Sequence, residues 1–329
     1  SASFDGVTGN RINISSGDAS QGDGDTITLQ GDVALGDSNN LVLGGAGGDT
    51  ITTGGGIDLI VGDHGSVDYG TDGVLDAVTS TDLALGGDDT VTAGDGSNVV
   101  VGGAGVDTVT GGLNADLVLG DNGDLIYNGG ALERVESTDS DTATGDADVI
   151  TVGDGANTVI GGIGGDAIIS GSGSDTVIGD NGAIDLVSGS LATGSAIRIE
   201  STDLDDSLGG DDVIMTGDGV NRVIGGAGTD YVAGSGITVD GATGTVDMSG
   251  ATGGSGTDQV VGDHGSLTYT TAGQLTTATS KQSEYGAGDI IISGDGANTV
   301  IGGSGVDQVT GGAGEDHVIG EPRARDFLQ

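Results

Sequence analysis

The sequence has no cysteine and no tryptophan, only 2% aromatic residues, and seven Lys and Arg against 51 Asp and Glu. Without cysteine no disulfide can staple the chain, which is compatible with export only if something else, such as a metal, does that work. Without aromatics no large globular core of the usual kind can form. The formal charge of −44 excludes nucleic acid as a partner, because phosphate binding needs clustered Lys and Arg. It also repels anionic membranes. No apolar run approaches the ~20 residues needed to cross one, so no membrane insertion is expected. The opening residues SASFDGVTGN carry neither the basic nor the apolar region of a secretory leader.

What the chain does have is glycine, 73 of 329 residues. That density without a three-residue period means either disorder or a turn-rich repeat, and periodicity decides for the repeat. Ala93 to Gly120 reads AGDGSNVVV, GGAGVDTVT, GGLNADLVL, then Gly. In each nine-residue unit the glycines lead, Asp or Asn is sixth (Asn98, Asp107, Asp116) and an aliphatic residue is eighth (Val100, Val109, Val118). A longer period lies over the nine. Gly-Asp-(His/Asn)-Gly recurs at Gly62, Gly120, Gly179 and Gly262, at intervals of 58, 59 and 83 residues. Removing a 19-residue insertion between Asp230 and Asp258 reduces the last interval to 64.

The nonapeptide resembles the RTX (hemolysin-type) calcium-binding repeats, a nine-residue sheet-coil period. The resemblance implies an all-β fold, a parallel β-roll or β-solenoid with two nonapeptides per turn. Between blocks lie linkers near 62–83, 120–142, 179–208 and 262–286. Their paired alternating segments around a glycine turn read as hairpins, which either project from the roll or continue it as a wider turn. The expected organisation is irregular coils over 1–35, a roll over 36–320 with an insertion near 237–255, and a tail over 321–329.

Glycine at the first, second and fourth positions lets the loop turn its carbonyls inward, and a sixth-position carboxylate adds charge. Oxygen ligands in number suit a hard cation, Ca²⁺ best. The sixth-position candidates are Asp49, Asp58, Asp89, Asn98, Asp107, Asp116, Asp148, Asn157, Asp166, Asp175, Asp212, Asn221, Asp230, Asp258, Asp289, Asn298, Asp307 and Asp316. Where the sixth residue is Asn, as also at Asn40, the third is Asp: Asp37, Asp95, Asp154, Asp218 and Asp295. The last four are therefore candidate ligands as well. In the RTX fold the ion sits between stacked loops, which would pair Asp89 with Asp107, Asn98 with Asp116, Asp148 with Asp166, Asn157 with Asp175, and Asp289 with Asp307. His64, His264 and His317 match no zinc spacing and are expected at turns or on the surface.

On one sheet the ninth residues are all aliphatic: Leu43, Val61, Val101, Leu119, Ile160, Ile178, Ile224, Val261, Ile301 and Ile319. Such a stripe along a soluble rod requires a cover. That cover is either the linkers, through residues such as Leu125, Tyr127, Val135, Ile197 and Ile199, or another copy of the chain; alternatively the strand bends and tucks the residue inward. On the other sheet Thr-x-Thr recurs early, but Ala167/Ile169 and Ile290/Ile292 replace it later, so no continuous threonine row for ice exists. No nucleophile–base pair stands out and no room remains for a catalytic domain. The function expected is a non-enzymatic, secreted, calcium-binding structural module, a spacer or adhesin segment exported by the type I route that the resemblance implies. The alternative is a self-assembling filament or surface-layer protein joined through the apolar stripe.

Overall fold

The computed structural model describes residues 2–4, 11–15, 22–29, 39–187, 196–203, 207–240, 245–281 and 285–320. They form three long sheets of ten strands each and one small hairpin, with no helix among the described residues.

Each nonapeptide makes one short strand, because six of its nine residues are spent on the turn. Alternate units go to opposite sheets of the roll. One sheet, the inner, contains Leu59–Val61, Val99–Val101 and Leu117–Leu119, paired parallel and in register. The other, the outer, contains Thr90–Gly94, Thr108–Gly111 and Val149–Thr151, likewise parallel. Period-two alternation turns the eighth residue of each strand inward. Val42, Ile60, Val100 and Val118 thus meet Ile51, Val91, Val109 and Ile150 in a thin core one aliphatic residue deep per coil.

The linkers neither project nor widen the roll. Their strands, among them Gly65–Tyr69, Leu75–Ser80, Gly123–Asn128, Ala131–Ser137, Gly182–Leu186 and Ala196–Ser201, form a third, antiparallel sheet. The Ala131 hairpin turns at Gly129 and Gly130, whose φ of 58° and 79° suits the tight turn that matches strand twist. Hairpins from successive super-repeats pair with each other, Leu125 opposite Val78 and Val135 opposite Ile184. This sheet covers the inner sheet, and the molecule is three layers deep.

The cover accounts for the apolar stripe. Val61, Val101, Leu119, Ile160, Ile178, Ile224, Val261 and Ile301 are buried against Val67, Val78, Leu125, Val135, Ile184, Ile199 and Leu267, with Leu43, Ile319 and Tyr127 partly buried at the margin. The ninth residues point outward from the roll into this second core, so no inward bend occurs. The face named for self-association is occupied by the chain's own hairpins. Ile197, expected in the cover, is only half-buried, since a bulge beside Leu186 brings Ala196 inward instead.

In the N-terminal stretch Thr26–Leu29 is a coil of the outer sheet, as expected, whereas Ala2–Phe4 and Arg11–Ser15 pair antiparallel and join the cover sheet. Alternation over RINIS is too short to separate a hairpin strand from a degenerate coil. Asp32 to Leu35, within the stretch expected as irregular coils, and the 321–329 tail lie outside the described residues. The insertion forms the hairpin Thr238–Asp240/Thr245–Asp247. It belongs to a small cluster on the outer sheet in which Val213, Ala233 and Ile237 are buried, with Met215, Tyr231, Val246 and Ile292 packed on. That cover accounts for Ile292 in place of threonine, whereas Ile169 stands outside the cluster and is exposed.

Truncating Ile178, which is fully buried, to Ala is expected to cost about 2–5 kcal/mol. Ile126→Ala, on the exposed face of the cover sheet, is expected to stay within about 0.5 kcal/mol. Denaturant titration of the calcium-loaded chain separates the two, and equal effects would refute the three-layer arrangement.

Candidate metal centres

The two edges of the roll, where the chain passes between inner and outer sheets, carry the sixth-position residues. On the edge leading into the outer sheet, every such residue among Asp49, Asp89, Asp107, Asp148, Asp166, Asp212, Asp230, Asp289 and Asp307 is aspartate. Each of the first eight donates its backbone N–H to Oδ1 of the next coil's Asp, at 2.6–3.3 Å. The expected stacking of Asp89 on Asp107, Asp148 on Asp166 and Asp289 on Asp307 is therefore present as direct hydrogen bonds.

The second carboxylate oxygen is different. Oδ2 of Asp49, Asp89, Asp107, Asp148, Asp166, Asp212, Asp230 and Asp289 is buried with no hydrogen-bond partner. An ionised oxygen left in that state is costly. Each lies in front of the first glycine of its own loop. A Cβ on Gly102 would collide with Oδ2 of Asp107 and with the carbonyl of Gly120 in the stacked coil, and Gly161 stands in the same relation to Asp166 and Gly179. The second-position Gly103 adopts a φ of 123°, closed to most side chains. Glycine thus clears a space that carboxylate and carbonyl oxygens face together.

The other edge alternates. Asn40, Asp58, Asn98, Asp116, Asn157, Asp175, Asn221, Asp258, Asn298 and Asp316 stack in that order, each backbone N–H donating to the side-chain Oδ1 of the next. Here the Asn amides take loop carbonyls for themselves. Asn98 Nδ2 donates to the carbonyls of Gly94 and Gly96, and Asn157 Nδ2 to those of Gly153 and Ser170. Asp175 Oδ2 accepts from Ser170 Oγ, whereas Oδ2 of Asp58 and Asp116 has no partner. The third-position Asp95, Asp154, Asp218 and Asp295 differ from the buried sixth-position residues. They stand exposed on the outer rim, and their Oδ1 atoms accept from backbone N–H groups of the stacked coil at 2.7–3.0 Å. Asp37 lies outside the described residues.

Burial pushes these acids up. Asp89 reaches about 8 and Asp107 about 7, in each case by desolvation above all and with neighbouring aspartates adding to it. Asp166 reaches about 8 and Asp289 about 7 for the same first cause. On the alternating edge burial raises Asp116 and Asp175 to about 7 and Asp258 to about 6, with the Asn amides pulling the other way.

Among the described residues no three acidic or histidine side chains close on one point. A cation here would be shared by carboxylates and backbone carbonyls of stacked loops. An all-oxygen donor set with uncompensated negative charge fits Ca²⁺ and does not fit a soft metal. His64 and His264 sit in turns, as expected, but are buried, at 3% and 0% exposure, while His317 is an exposed strand residue. The nonapeptide register did not reach Asp63, Asp121, Asp180 and Asp263, the second residues of the Gly-Asp-(His/Asn)-Gly motif, all buried beside the all-aspartate edge. The one signal for them in the sequence is that Asp stands where the repeat has its second glycine.

A family profile, the RTX calcium-binding nonapeptide repeat, matches residues 35–66, 84–124, 142–183, 206–236 and 285–320, more than half of the chain. A search of curated proteins found no match.

The raised pKa values fix the sign of a pH effect. A metal-free roll holds protons more tightly than the unfolded chain, so its stability is greatest below the ordinary carboxylate pKa and is lost as pH rises through about 7–8. In excess chelator, more β signal is expected at about pH 5 than at about pH 8.5, where calcium becomes necessary. Equal signal at both would show that the buried acids do not oppose folding.

Proposed function

Because the chain belongs to the RTX calcium-binding nonapeptide repeat family, we propose that it is a secreted, non-enzymatic structural module that folds on binding calcium and serves as a spacer or adhesin segment of a larger surface protein. Calcium is the family's cofactor, bound at multiple sites. The observation that carries the reading is the column of buried Oδ2 atoms without partners, from Asp49 to Asp289. One aliphatic residue per coil in the roll core does not offset backbone entropy of about 1–2 kcal/mol per residue while those charges repel. Cation binding to the folded state alone supplies the difference.

The sixth-position aspartates are the proposed ligands, chiefly those of the all-aspartate edge. The Asn coils are assigned the lesser part, because the amide already occupies the loop carbonyls. RTX repeats are typical of secreted proteins, and export by the type I route belongs to the proposal. No helix among the described residues is long and apolar enough to cross a membrane. The filament alternative loses its main support, since the apolar stripe is internal.

Circular dichroism is expected to show strong β signal in millimolar calcium and its loss in excess chelator at neutral pH; the same spectrum in both would refute the proposal. Asp107→Ala is expected to lower calcium stoichiometry and loosen only neighbouring coils, since repeat stability is carried between neighbours. Asp72→Ala, in an exposed hairpin turn, is expected to leave stoichiometry unchanged, and equal losses would refute the register.

A further inference from the structure

The hairpins cover the inner sheet, which leaves the far face of the outer sheet open. Its first four described strands are Thr26–Leu29, Thr50–Thr53, Thr90–Gly94 and Thr108–Gly111. In each, the first and third residues are threonine and face outward. The residue between them, Ile27, Ile51, Val91 or Val109, packs into the roll core. Pairing is parallel and in register. Thr26, Thr50, Thr90 and Thr108 therefore form one column along the rod, and Thr28, Thr52, Thr92 and Thr110 form a second. Seven of the eight are exposed and Thr52 is half-buried.

No threonine row runs the whole sheet, as the sequence indicates, because Val149 with Thr151 and Ala167 with Ile169 come next. Over four coils, however, the double row is unbroken. A linker separates Thr52 from Thr90 in the sequence, so the run is complete only when the coils are stacked. Strand propensity does not account for it. Valine and isoleucine suit such positions equally, and the later coils use them at Val149 and Ile169.

The array is also free of charge. None of the four strands contains an ionisable residue, in a chain of net charge −44. Nor do they contain the aromatic or Arg anchors that carry a protein interface. What remains is a flat lattice of hydroxyl and methyl groups. Equivalent threonines on neighbouring strands lie about 4.8 Å apart along the rod, and the two threonines of one strand about 6.7 Å apart across it. β-Branching restricts χ1, so each hydroxyl and methyl is held in a set direction. Both repeats are close to those of water oxygens on a prism face of hexagonal ice.

We propose that this face binds ice. An uncharged array with two matching repeats fits an uncharged crystal of water. The hydroxyls hold water molecules near lattice positions, and the methyl groups fill the gaps between them. Folding has already ordered the array, so little ordering is left for the binding step. The proposal goes beyond the calcium-binding reading and needs only the folded roll.

The test uses the whole chain, folded in millimolar calcium, and measures its partition into ice grown slowly from a seed. Inhibition of ice recrystallisation is the independent reading. The unchanged chain is expected to enter the ice and to keep its crystals small. T50Y/T92Y stands two rings above the middle of the array, and is expected to lower uptake about tenfold or more by holding the face off the lattice. T310Y, at the same strand position but beside Gln308 and outside the array, is expected to match the unchanged chain. Uptake of the unchanged chain no greater than that of T50Y/T92Y would overturn the proposal. Equal loss in T310Y would overturn it too, since uptake would then not depend on the array. Circular dichroism checks that each variant is folded. If the double variant is not, T92Y alone is measured, with the same expected loss and the same refutation. A chain that folds and enters ice without binding calcium would defeat the calcium reading and leave this one standing.

Discussion

Uncompensated negative charge in a buried column is the constraint on which the rest of this structure depends. Nine aspartates stack along one edge, each with one oxygen taken by a neighbour's backbone N–H, and in the first eight the other oxygen is buried without a hydrogen-bond partner. The ordinary devices for satisfying a buried carboxylate are missing. Seven basic residues serve the whole chain, and Arg134, Arg198 and Lys281 pair with Glu136, Asp185 and Glu200 in the cover sheet instead. The protein sequence thus withholds its cations from the sites where they would make metal unnecessary. Glycine, at the loop positions that a Cβ would block, keeps those sites open.

The opposite edge shows the same geometry with half the charge removed. Asn in alternate coils keeps the stacking hydrogen bonds while its amide donates where a cation would otherwise be required. The two edges are therefore chemically unequal although the backbone treats them alike. The proposed metal dependence falls mainly on one of them, and the other is partly closed by the chain itself.

Much of this was legible in the sequence because period nine is rigidly coupled to position. The sixth-position ladder, the inward eighth residues and the stacked partners of Asp89, Asp148 and Asp289 all follow from counting. The all-aliphatic ninth residues demanded a cover, and Leu125, Val135 and Ile199 provide it. What counting missed depends on contacts between segments far apart. Alternate coils belong to opposite edges, so the segregation of Asn98 and Asn157 to one of them shows only once the turns are closed. His64 is a turn residue whose burial no local pattern announces. Asp95 stands only three residues before the buried Asn98, yet it is exposed, which counting alone does not show. Asp63 breaks the glycine rule where a linker leaves the roll, which no single repeat displays.

The cover sheet has a mechanical consequence. A two-layered roll bends easily toward either face, because its layers are only about 10 Å apart. Here a third sheet runs the length of the roll, hydrogen-bonded from one super-repeat to the next, Val78 to Leu125, Val135 to Ile184, Ile199 to Leu267. Bending across the layers must now stretch one outer sheet and compress the other at about twice that separation. Resistance to flexure grows steeply with depth, so the rod is stiff in that plane and more compliant sideways. A rod of this build transmits orientation as well as distance, because its two ends keep the same broad face turned the same way.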